Sequence, residues 1–254
     1  MGSRCQGCYS GQSEYRKNII KSSYLIEVGV RAIAHLVSLD EIKQDQLVDA
    51  YINGGNDCLA TLGYTEHGYR HVGVVSYNSR LILKELGFSA REQELGAIAG
   101  YLHDIGNCVN RNNHAHTGAA LAAQVLNAHG LDPKEIALIL AAIGNHDESD
   151  GQPVNNTSAA LILADKADVH RTRVRNTDYA TFDIHDRVNY AVEHSTLNVF
   201  ALEHRIVLEL TIDTKICPLI EYFEIFTTRM LMCRRAADFL KCKFELIINK
   251  VKLL

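Results

Sequence analysis

The stretch AIAGYLHDIGN, residues 97–107, decides how the central part of this chain folds. Its apolar first half predicts the buried end of a helix. His103 and Asp104 follow that helix directly, and Gly106 allows the backbone to turn away beneath them. Because both side chains can then reach one ion, the stretch predicts a helix that ends in a metal-binding pair.

Further metal-capable side chains lie in apolar or small-residue contexts on both sides of this pair. Imidazole and carboxylate ligands together suit Fe, Mn, Co, Ni or Zn better than Mg or Ca. A carboxylate on a buried face is also costly unless it binds a cation. We therefore expect one or two divalent transition-metal ions, with further ligands from His71 in YRHVGVV, His114 in RNNHAHTGAA, His146 in AAIGNHDE and Asp165 in LILADKADVHR.

The residues alone leave alternatives open at several of these positions. His67 lies one helical turn before His71, so both belong to one face of the predicted helix. A histidine at a helix end can also cap carbonyl groups instead of binding a metal, which is the alternative for His114 and His146. His116 is expected to face solvent or to support the ligands. The second His-Asp pair, His185-Asp186, lacks a glycine turn and favours a polar helix start.

The order His71, His103-Asp104, Asp165 resembles the signature of the HD superfamily of metal-dependent phosphohydrolases, over residues 60–175. In this superfamily the histidines and aspartates of the signature hold the active-site metal. The resemblance implies hydrolysis of a phosphate ester or anhydride, in which a metal ion activates water. It also implies a small phosphorylated substrate, with a nucleotide or dinucleotide as the favoured class.

Two extra histidines narrow the resemblance within the superfamily. His114, with Gly118 four residues later, and His146 resemble the members that hold a two-metal centre. The segment from His146 to Arg171 is similar to the HD-type symmetrical dinucleoside tetraphosphate hydrolases of bacteria. NHDE and DGQP stand where the HD-GYP cyclic-dinucleotide phosphodiesterases carry HHE and GYP, so that group is not indicated.

The resemblance implies a ligand set and phosphate-binding residues. The superfamily spacing favours His71 over His67, and the residues assigned to catalysis are Asp104, Lys166 and Arg171. Lys166 and Arg171 are expected to bind phosphate oxygens through charge-assisted bonds. Arg173 and Arg175 either join them or pair with nearby aspartates. The implied metal ligands are His71, His103, Asp104 and Asp165 for a first ion and His114 and His146 for a second, with Asp104 able to bridge.

Hydrophobic spacing predicts helices through most of residues 18–170. Asn53-Gly54-Gly55-Asn56 is predicted to break this pattern, whereas Ser89 with Glu92 predicts a capping box. Residues 204–213, 218–241 and 243–249 predict a strand, a helix and a strand. The expected fold is mainly α, an HD-type helical bundle with a small C-terminal strand–helix–strand appendage. The expected divisions are a polar lead-in (1–17), a helical domain (18–200) and a β-α-β subdomain (201–254).

The composition limits the classes of function. The 254 residues are 47% apolar and 22% charged, which predicts a packed core. A net charge of -4 does not favour duplex nucleic acid, and no apolar run is long enough for a membrane span. The N-terminus lacks the apolar core of a secretory signal. Seven irregularly spaced cysteines, including a lone Cys5–Cys8 pair, indicate a reducing, cytoplasmic setting. The composition leaves open whether the chain forms a homo-oligomer.

A protein of a different class is the alternative to an enzyme. It is a non-catalytic or regulatory HD protein, whose metal site is structural or senses a ligand and whose C-terminal subdomain binds a partner. The enzyme is favoured because every ligand position of the signature is filled.

Overall fold

The computed structural model describes residues 36–254, and within them the chain forms nine α-helices and one four-stranded sheet. This confirms the predicted fold class, mainly α with a small α+β appendage at the C-terminal end. The helices are α1 (Leu39–Lys43), α2 (Gln46–Thr61), α3 (Tyr69–Glu85), α4 (Ala90–Leu102), α5 (His114–Ala128), α6 (Pro133–Gly144), α7 (Asn156–Lys166), α8 (Ile184–Ala191) and α9 (Leu219–Phe239). The strands are β1 (Val192–Phe200), β2 (Arg205–Ile212), β3 (Lys243–Ile248) and β4 (Val251–Lys252).

Two helices form the centre of the bundle because they have no polar face. In α4 every residue from Leu95 to Leu102 is buried, and in α7 every residue from Thr157 to Ala164 is buried. Such helices need neighbours on all sides. Helices α3, α6 and α7 pack around α4, and α9 also packs against α7. The C-terminal ends of these two helices carry His103 and Asp165, so the core itself positions the predicted ligands.

The start of α4 is the one that the sequence predicts. The Ser89 hydroxyl accepts a hydrogen bond from the Glu92 backbone N–H, and the Glu92 carboxylate accepts one from the Ser89 N–H. This capping box satisfies backbone donors that the first helical turn leaves free. It fixes the residue at which α4 begins and therefore the residue at which it delivers His103.

The predicted break at residues 53–56 is wrong, because α2 continues through all four residues. The two glycines serve packing rather than a turn. A Cβ atom on Gly55 would lie 3.2 Å from the backbone nitrogen of Cys108. Helix α2 can therefore pack closely against the 3-10 turn Ile105–Cys108, which follows Asp104 directly.

The C-terminal sheet has the strand order β1-β2-β3-β4. Strands β2 and β3 are parallel and α9 connects them, which confirms the predicted strand–helix–strand pattern. Strand β1 pairs antiparallel with β2, and β4 pairs antiparallel with β3. The sequence did not indicate β1, because this edge strand carries polar residues such as His194 and Asn198 at exposed or half-buried positions. A weak apolar alternation is typical of an edge strand that is covered on one face.

Several other expectations fall outside the described residues. These are the lead-in 1–17, the helices within 18–35 and the Cys5–Cys8 pair. The division of the chain at residue 200 stays a prediction, and β1 begins before it, at Val192. From residue 36 onward no helix is both long and apolar enough to cross a bilayer, and the cysteines in this part are free thiols.

Candidate metal centre

Four imidazole rings converge at one end of the bundle, each from a different element. His71 lies in the first turn of α3, His103 follows α4, His114 begins α5 and His146 follows α6. None of the four is more than 3% exposed. The structure brings these four predicted residues together with the two predicted carboxylates, Asp104 and Asp165.

Three of the rings are oriented by carbonyl groups of their own segments. A carbonyl oxygen only accepts, so the nitrogen that faces it carries the proton and the other ring nitrogen keeps a free lone pair. In each case Nδ1 donates and Nε2 faces the centre. The Nδ1–carbonyl pairs are His103 with Gly100 (2.9 Å), His114 with Arg111 (3.0 Å) and His146 with Ile143 (2.7 Å).

The fourth ring, His71, is oriented by a buried carboxylate instead. Its Nδ1 lies 2.7 Å from an Asp168 carboxylate oxygen. Asp168 is in turn held by Arg70, whose Nη1 donates at 2.8 Å, and by Arg173, whose Nη1 donates to the Asp168 carbonyl. A carboxylate behind an imidazole fixes the ring and raises its basicity. The sequence analysis missed this role of Asp168, because the contact joins residues 97 positions apart.

Ligand atoms of His71, His103 and Asp165 lie close enough together to hold one ion, and Asp104 lies beside the two rings. The Nε2 atoms of His71 and His103 are 3.2 Å apart. Asp104 Oδ2 lies 3.6 and 3.5 Å from them, and Asp165 Oδ1 lies 3.4 and 3.7 Å from them. Ligand atoms on one transition-metal ion are about 3 to 3.6 Å apart when each bond is about 2.0–2.2 Å. We call this group the first subsite.

A second group shares Asp104 with the first. The Nε2 atoms of His114 and His146 are 3.1 Å apart, and Asp104 Oδ1 lies 3.4 and 3.8 Å from them. Asp147 adds a carboxylate oxygen 3.7 Å from His114 Nε2. This residue was not predicted, although its position directly after His146 was a usable signal. We call this group the second subsite, and Asp104 turns one oxygen toward each.

The donor set fits divalent transition-metal ions. Asp104 Oδ2 is buried and accepts no hydrogen bond from the described residues. A buried carboxylate oxygen without a donor is costly, and two imidazole lone pairs that face each other add repulsion. A cation between these atoms removes both penalties. Nitrogen and carboxylate ligands without thiolate suit Fe, Mn, Co, Ni or Zn.

Burial and nearby charges keep His103, His114 and Asp165 in the forms that bind metal. Burial lowers the pKa of His103 to about 3 and the pKa of His114 to about 4. Burial alone would raise the pKa of Asp165, but the ammonium group of Lys166 holds that pKa well below its ordinary value. Neutral imidazoles and ionised carboxylates are therefore present at neutral pH without proton removal from these groups.

Gly106, which follows the His103-Asp104 pair after one intervening residue, is needed for space rather than for a turn. Gly106 does not have a positive φ, in contrast to the expectation that it redirects the backbone. A Cβ atom there would lie 2.0 Å from the His114 carbonyl oxygen and 2.5 Å from the Gly118 nitrogen. Helix α5 thus packs backbone against backbone on the turn Ile105–Cys108, which fixes the separation of the two subsites.

An ion-pair network supports Asp165 from behind. The Lys166 ammonium lies 2.8 Å from Asp165 Oδ2 and 2.5 Å from a Glu148 oxygen. The other Glu148 oxygen lies 2.9 Å from Arg229 Nε. Lys166 is buried, so this geometry makes it a group that orients Asp165. The predicted role of Lys166 in phosphate binding stays a prediction.

The remaining predicted residues lie around the centre or away from it. His67 Nδ1 faces the Thr65 carbonyl at 2.7 Å, and the His67 ring lies beside His71 outside both subsites. Arg171 pairs with Glu193 at 3.2 Å and is not brought to the centre. Its assigned role in catalysis stays a prediction. His116 is exposed, as expected.

Two adjoining cavities lie beside the centre. One has a volume of about 470 Å³ and is lined by His67, Arg173 and Arg229 among others. The other has a volume of about 610 Å³ and is lined by His114 and Asp147 of the second subsite. Tyr64, Arg111 and Glu148 line both cavities, so these side chains separate two parts of one cleft.

Comparison with known proteins identifies the class of domain. Residues 68–172 match the family described as HD domain, a segment that contains every residue of both subsites. The chain thus carries an HD domain, and this family generally comprises metal-dependent hydrolases. An uncharacterized protein of Methanocaldococcus jannaschii (MJ1020) is 25% identical over 158 residues, which cover 54% of this chain. The chain spans 61% of the length of that relative.

Proposed function

We propose that this protein is a metal-dependent phosphohydrolase that cleaves a phosphate ester or anhydride, with a nucleotide or dinucleotide as its substrate. One observation carries the proposal. Four imidazole lone pairs converge on Asp104, whose buried Oδ2 accepts no hydrogen bond from the described part of the chain. The HD domain supports the same class of enzyme.

Each subsite would hold one divalent ion. A bound ion lowers the pKa of coordinated water toward neutrality and polarises a phosphoryl oxygen. The protein's own contribution is orientation: Asp168 fixes the His71 ring, and Lys166 fixes Asp165. The assigned ligands are His71, His103, Asp104 and Asp165 in the first subsite and Asp104, His114, His146 and Asp147 in the second.

The two cavities support a substrate with one or two nucleoside groups. Both volumes lie within the range of about 300–1,000 Å³ that is typical of small-molecule sites. Tyr64 offers an aromatic face, and Asp183 and Asp186 offer acceptors for hydroxyl or amino groups. Two cavities that meet at Arg111 leave room for the two ends of a dinucleotide. The cytoplasmic setting remains a prediction from the sequence.

A substrate screen on metal-loaded protein tests the proposal. The purified chain is analysed for bound metal and then loaded separately with Mn, Fe, Co, Ni and Zn. Hydrolysis of p-nitrophenyl phosphate, nucleoside mono-, di- and triphosphates, and dinucleoside tetraphosphates is followed by phosphate release and product chromatography. Activity that requires added metal and is lost with a chelator is expected. Metal-loaded protein that hydrolyses none of these compounds would favour the regulatory alternative.

Metal affinity is expected to increase with pH at the first subsite. Burial and Arg173 act to lower the pKa of His71, but Asp165 and Asp168 outweigh them and hold that pKa above its ordinary value. A proton on Nε2 competes directly with an ion. Below the raised pKa, affinity should fall about tenfold for each pH unit. Calorimetry at about pH 6 in buffers of different ionisation enthalpy should show proton release, and none released would contradict the role of His71.

An Asp168→Asn variant is expected to weaken the first subsite selectively. The change removes the negative charge behind His71, and such losses typically reduce metal affinity about 10- to 100-fold. Chelator competition should show a lower affinity for one of the two bound ions, the one in the first subsite. Asp45→Asn is a matched control, because Asp45 pairs with His129 at 2.8 Å and contacts neither subsite. If the Asp168 variant bound both ions with the affinities of the wild type, the orienting role would be disproved.

A further inference from the structure

Three arginines line the cavity of about 470 Å³: Arg111, Arg173 and Arg229. Two of them are bound to acceptors of the protein. Arg173 donates to the Asp168 carbonyl at 2.7 Å and to the Glu66 carbonyl at 3.0 Å. Arg229 is held by Glu148 at 2.9 Å. Arg173 uses Nε and both Nη groups in such bonds, so it cannot bind a ligand without losing one of them. The charge of Arg229 is balanced by the Glu148 carboxylate.

Arg111 differs from both in its surroundings. Among the residues that the structure describes, no carboxylate lies within 4.0 Å of its guanidinium group. Its only hydrogen-bond contacts with those residues are long, 3.4 Å each, to Asn107 Oδ1 and to His114 Nε2. The Tyr64 ring supports it from one side, with the guanidinium carbon 5.7 Å from the ring centre. Within the described chain, Arg111 therefore carries a positive charge into the cleft without a carboxylate at salt-bridge distance.

The contact with His114 points to the kind of ligand. His114 Nε2 is the lone pair that faces the second subsite, and Arg111 Nη1 points toward the same atom. A divalent ion in that subsite and the guanidinium group would repel each other at this short range. An anion placed between the two cations would be attracted by both. Arg111 also lines both cavities, which is where a substrate would reach this point.

We infer that Arg111 binds the phosphoryl group of the substrate, between the second subsite and the Tyr64 ring. This inference rests on the proposed function. The planar guanidinium group offers paired N–H donors that match phosphate oxygens, whereas an ammonium group offers a point charge. Phosphate binding is thus assigned to Arg111, a loop residue before α5, and not to the basic residues that follow Asp165. Those residues, Lys166, Arg171, Arg173 and Arg175, all have partners within the described chain.

Binding of inorganic phosphate tests the inference directly. Calorimetry on the full chain, with and without Mn, compares the wild type with Arg111→Met and Arg111→Lys. Loss of a charge-assisted pair should weaken phosphate binding about 10- to 100-fold in Arg111→Met. Arg111→Lys should show an intermediate loss, and it also serves if Arg111→Met does not fold. Metal content should not change in either variant.

The matched control is Arg80→Met, because Arg80 pairs with Glu94 on the surface of α3 and lines neither cavity. It should bind phosphate as the wild type does. Unchanged phosphate affinity and unchanged KM for p-nitrophenyl phosphate in both Arg111 variants would overturn the inference while the hydrolase proposal stands. A wild type that neither binds Mn nor hydrolyses the ester would overturn the proposed function. Absence of phosphate binding in the Mn-loaded wild type would overturn the role of Arg111.

Discussion

The Asp104→Asn variant is expected to lose most of its bound metal and to hydrolyse phosphate esters at least about 1,000-fold more slowly than the wild type. Asp104 reaches both subsites, with Oδ1 toward His114 and Oδ2 toward His71. An amide removes the negative charge that both ions would share. It also replaces one ligand oxygen with an NH₂ group that cannot bind a cation.

The stability of the same variant should separate a metal centre from a structural ion pair. Without metal, the asparagine side chain no longer buries a charged oxygen that lacks a donor, so the free energy of unfolding should equal or exceed that of the wild type. With metal, the wild type should gain stability and the variant should not. A structural ion pair predicts the opposite, a variant that is destabilised in the metal-free state.

Metal content by mass spectrometry and thermal unfolding with and without metal provide the measurements. Asp132→Asn is the matched control, because Asp132 caps α6 by accepting from the Lys134 N–H and asparagine caps equally well. Full metal stoichiometry at wild-type affinity in Asp104→Asn would show that the ligand assignment is wrong.

Gly106→Ala is expected to reduce the free energy of unfolding by more than about 3 kcal/mol, the upper end of the usual cost of overpacking. The effect is this large because the added methyl group would overlap atoms that cannot move aside. The added methyl group would meet the His114 carbonyl oxygen at 2.0 Å and the Gly118 nitrogen at 2.5 Å. Both are backbone atoms, so α5 would have to move as a unit. His114 would move with it, and the second subsite would lose its geometry.

Urea unfolding measures this effect, and Gly73→Ala provides the contrast. Gly73 lies within α3, and a Cβ atom there would meet no other group within 4 Å. Alanine at that position should raise the free energy of unfolding by up to about 1 kcal/mol. If the free energy of unfolding of Gly106→Ala lies within about 0.5 kcal/mol of the wild-type value, the backbone contact does not limit the size of this residue.

Local patterns in the sequence were sufficient to indicate the candidate ligands that lie at helix ends. His103 and Asp104 follow an apolar helix directly, and His114, His146 and Asp165 have comparable local contexts, so periodicity and adjacency indicate them. The capping box at Ser89 is equally local. The structure brings all of these predicted ligands together at one end of the bundle.

The features that the sequence analysis missed depend on contacts between distant segments. Asp168 is an ordinary polar residue until α3 packs beside it, and Arg111 is one until the Tyr64 ring packs beside it. The glycine pair Gly54-Gly55 was misinterpreted for the same reason. Glycine permits both a turn and a close helix contact, and only the packing partner decides between the two. Strand β1 was missed because the sheet edge needs apolar residues on one face only.

The hydrogen bonds behind the four rings bear on the order in which the centre assembles during folding. Three rings take their orientation from a carbonyl group only three residues earlier, so each is set as soon as its own helix end forms. The His71 ring depends on Asp168, from the far end of the HD domain. The rings of the second subsite therefore do not take their orientation from residues 165–173. The first subsite is completed only when that segment docks against α3, which makes its ion a reporter of that docking.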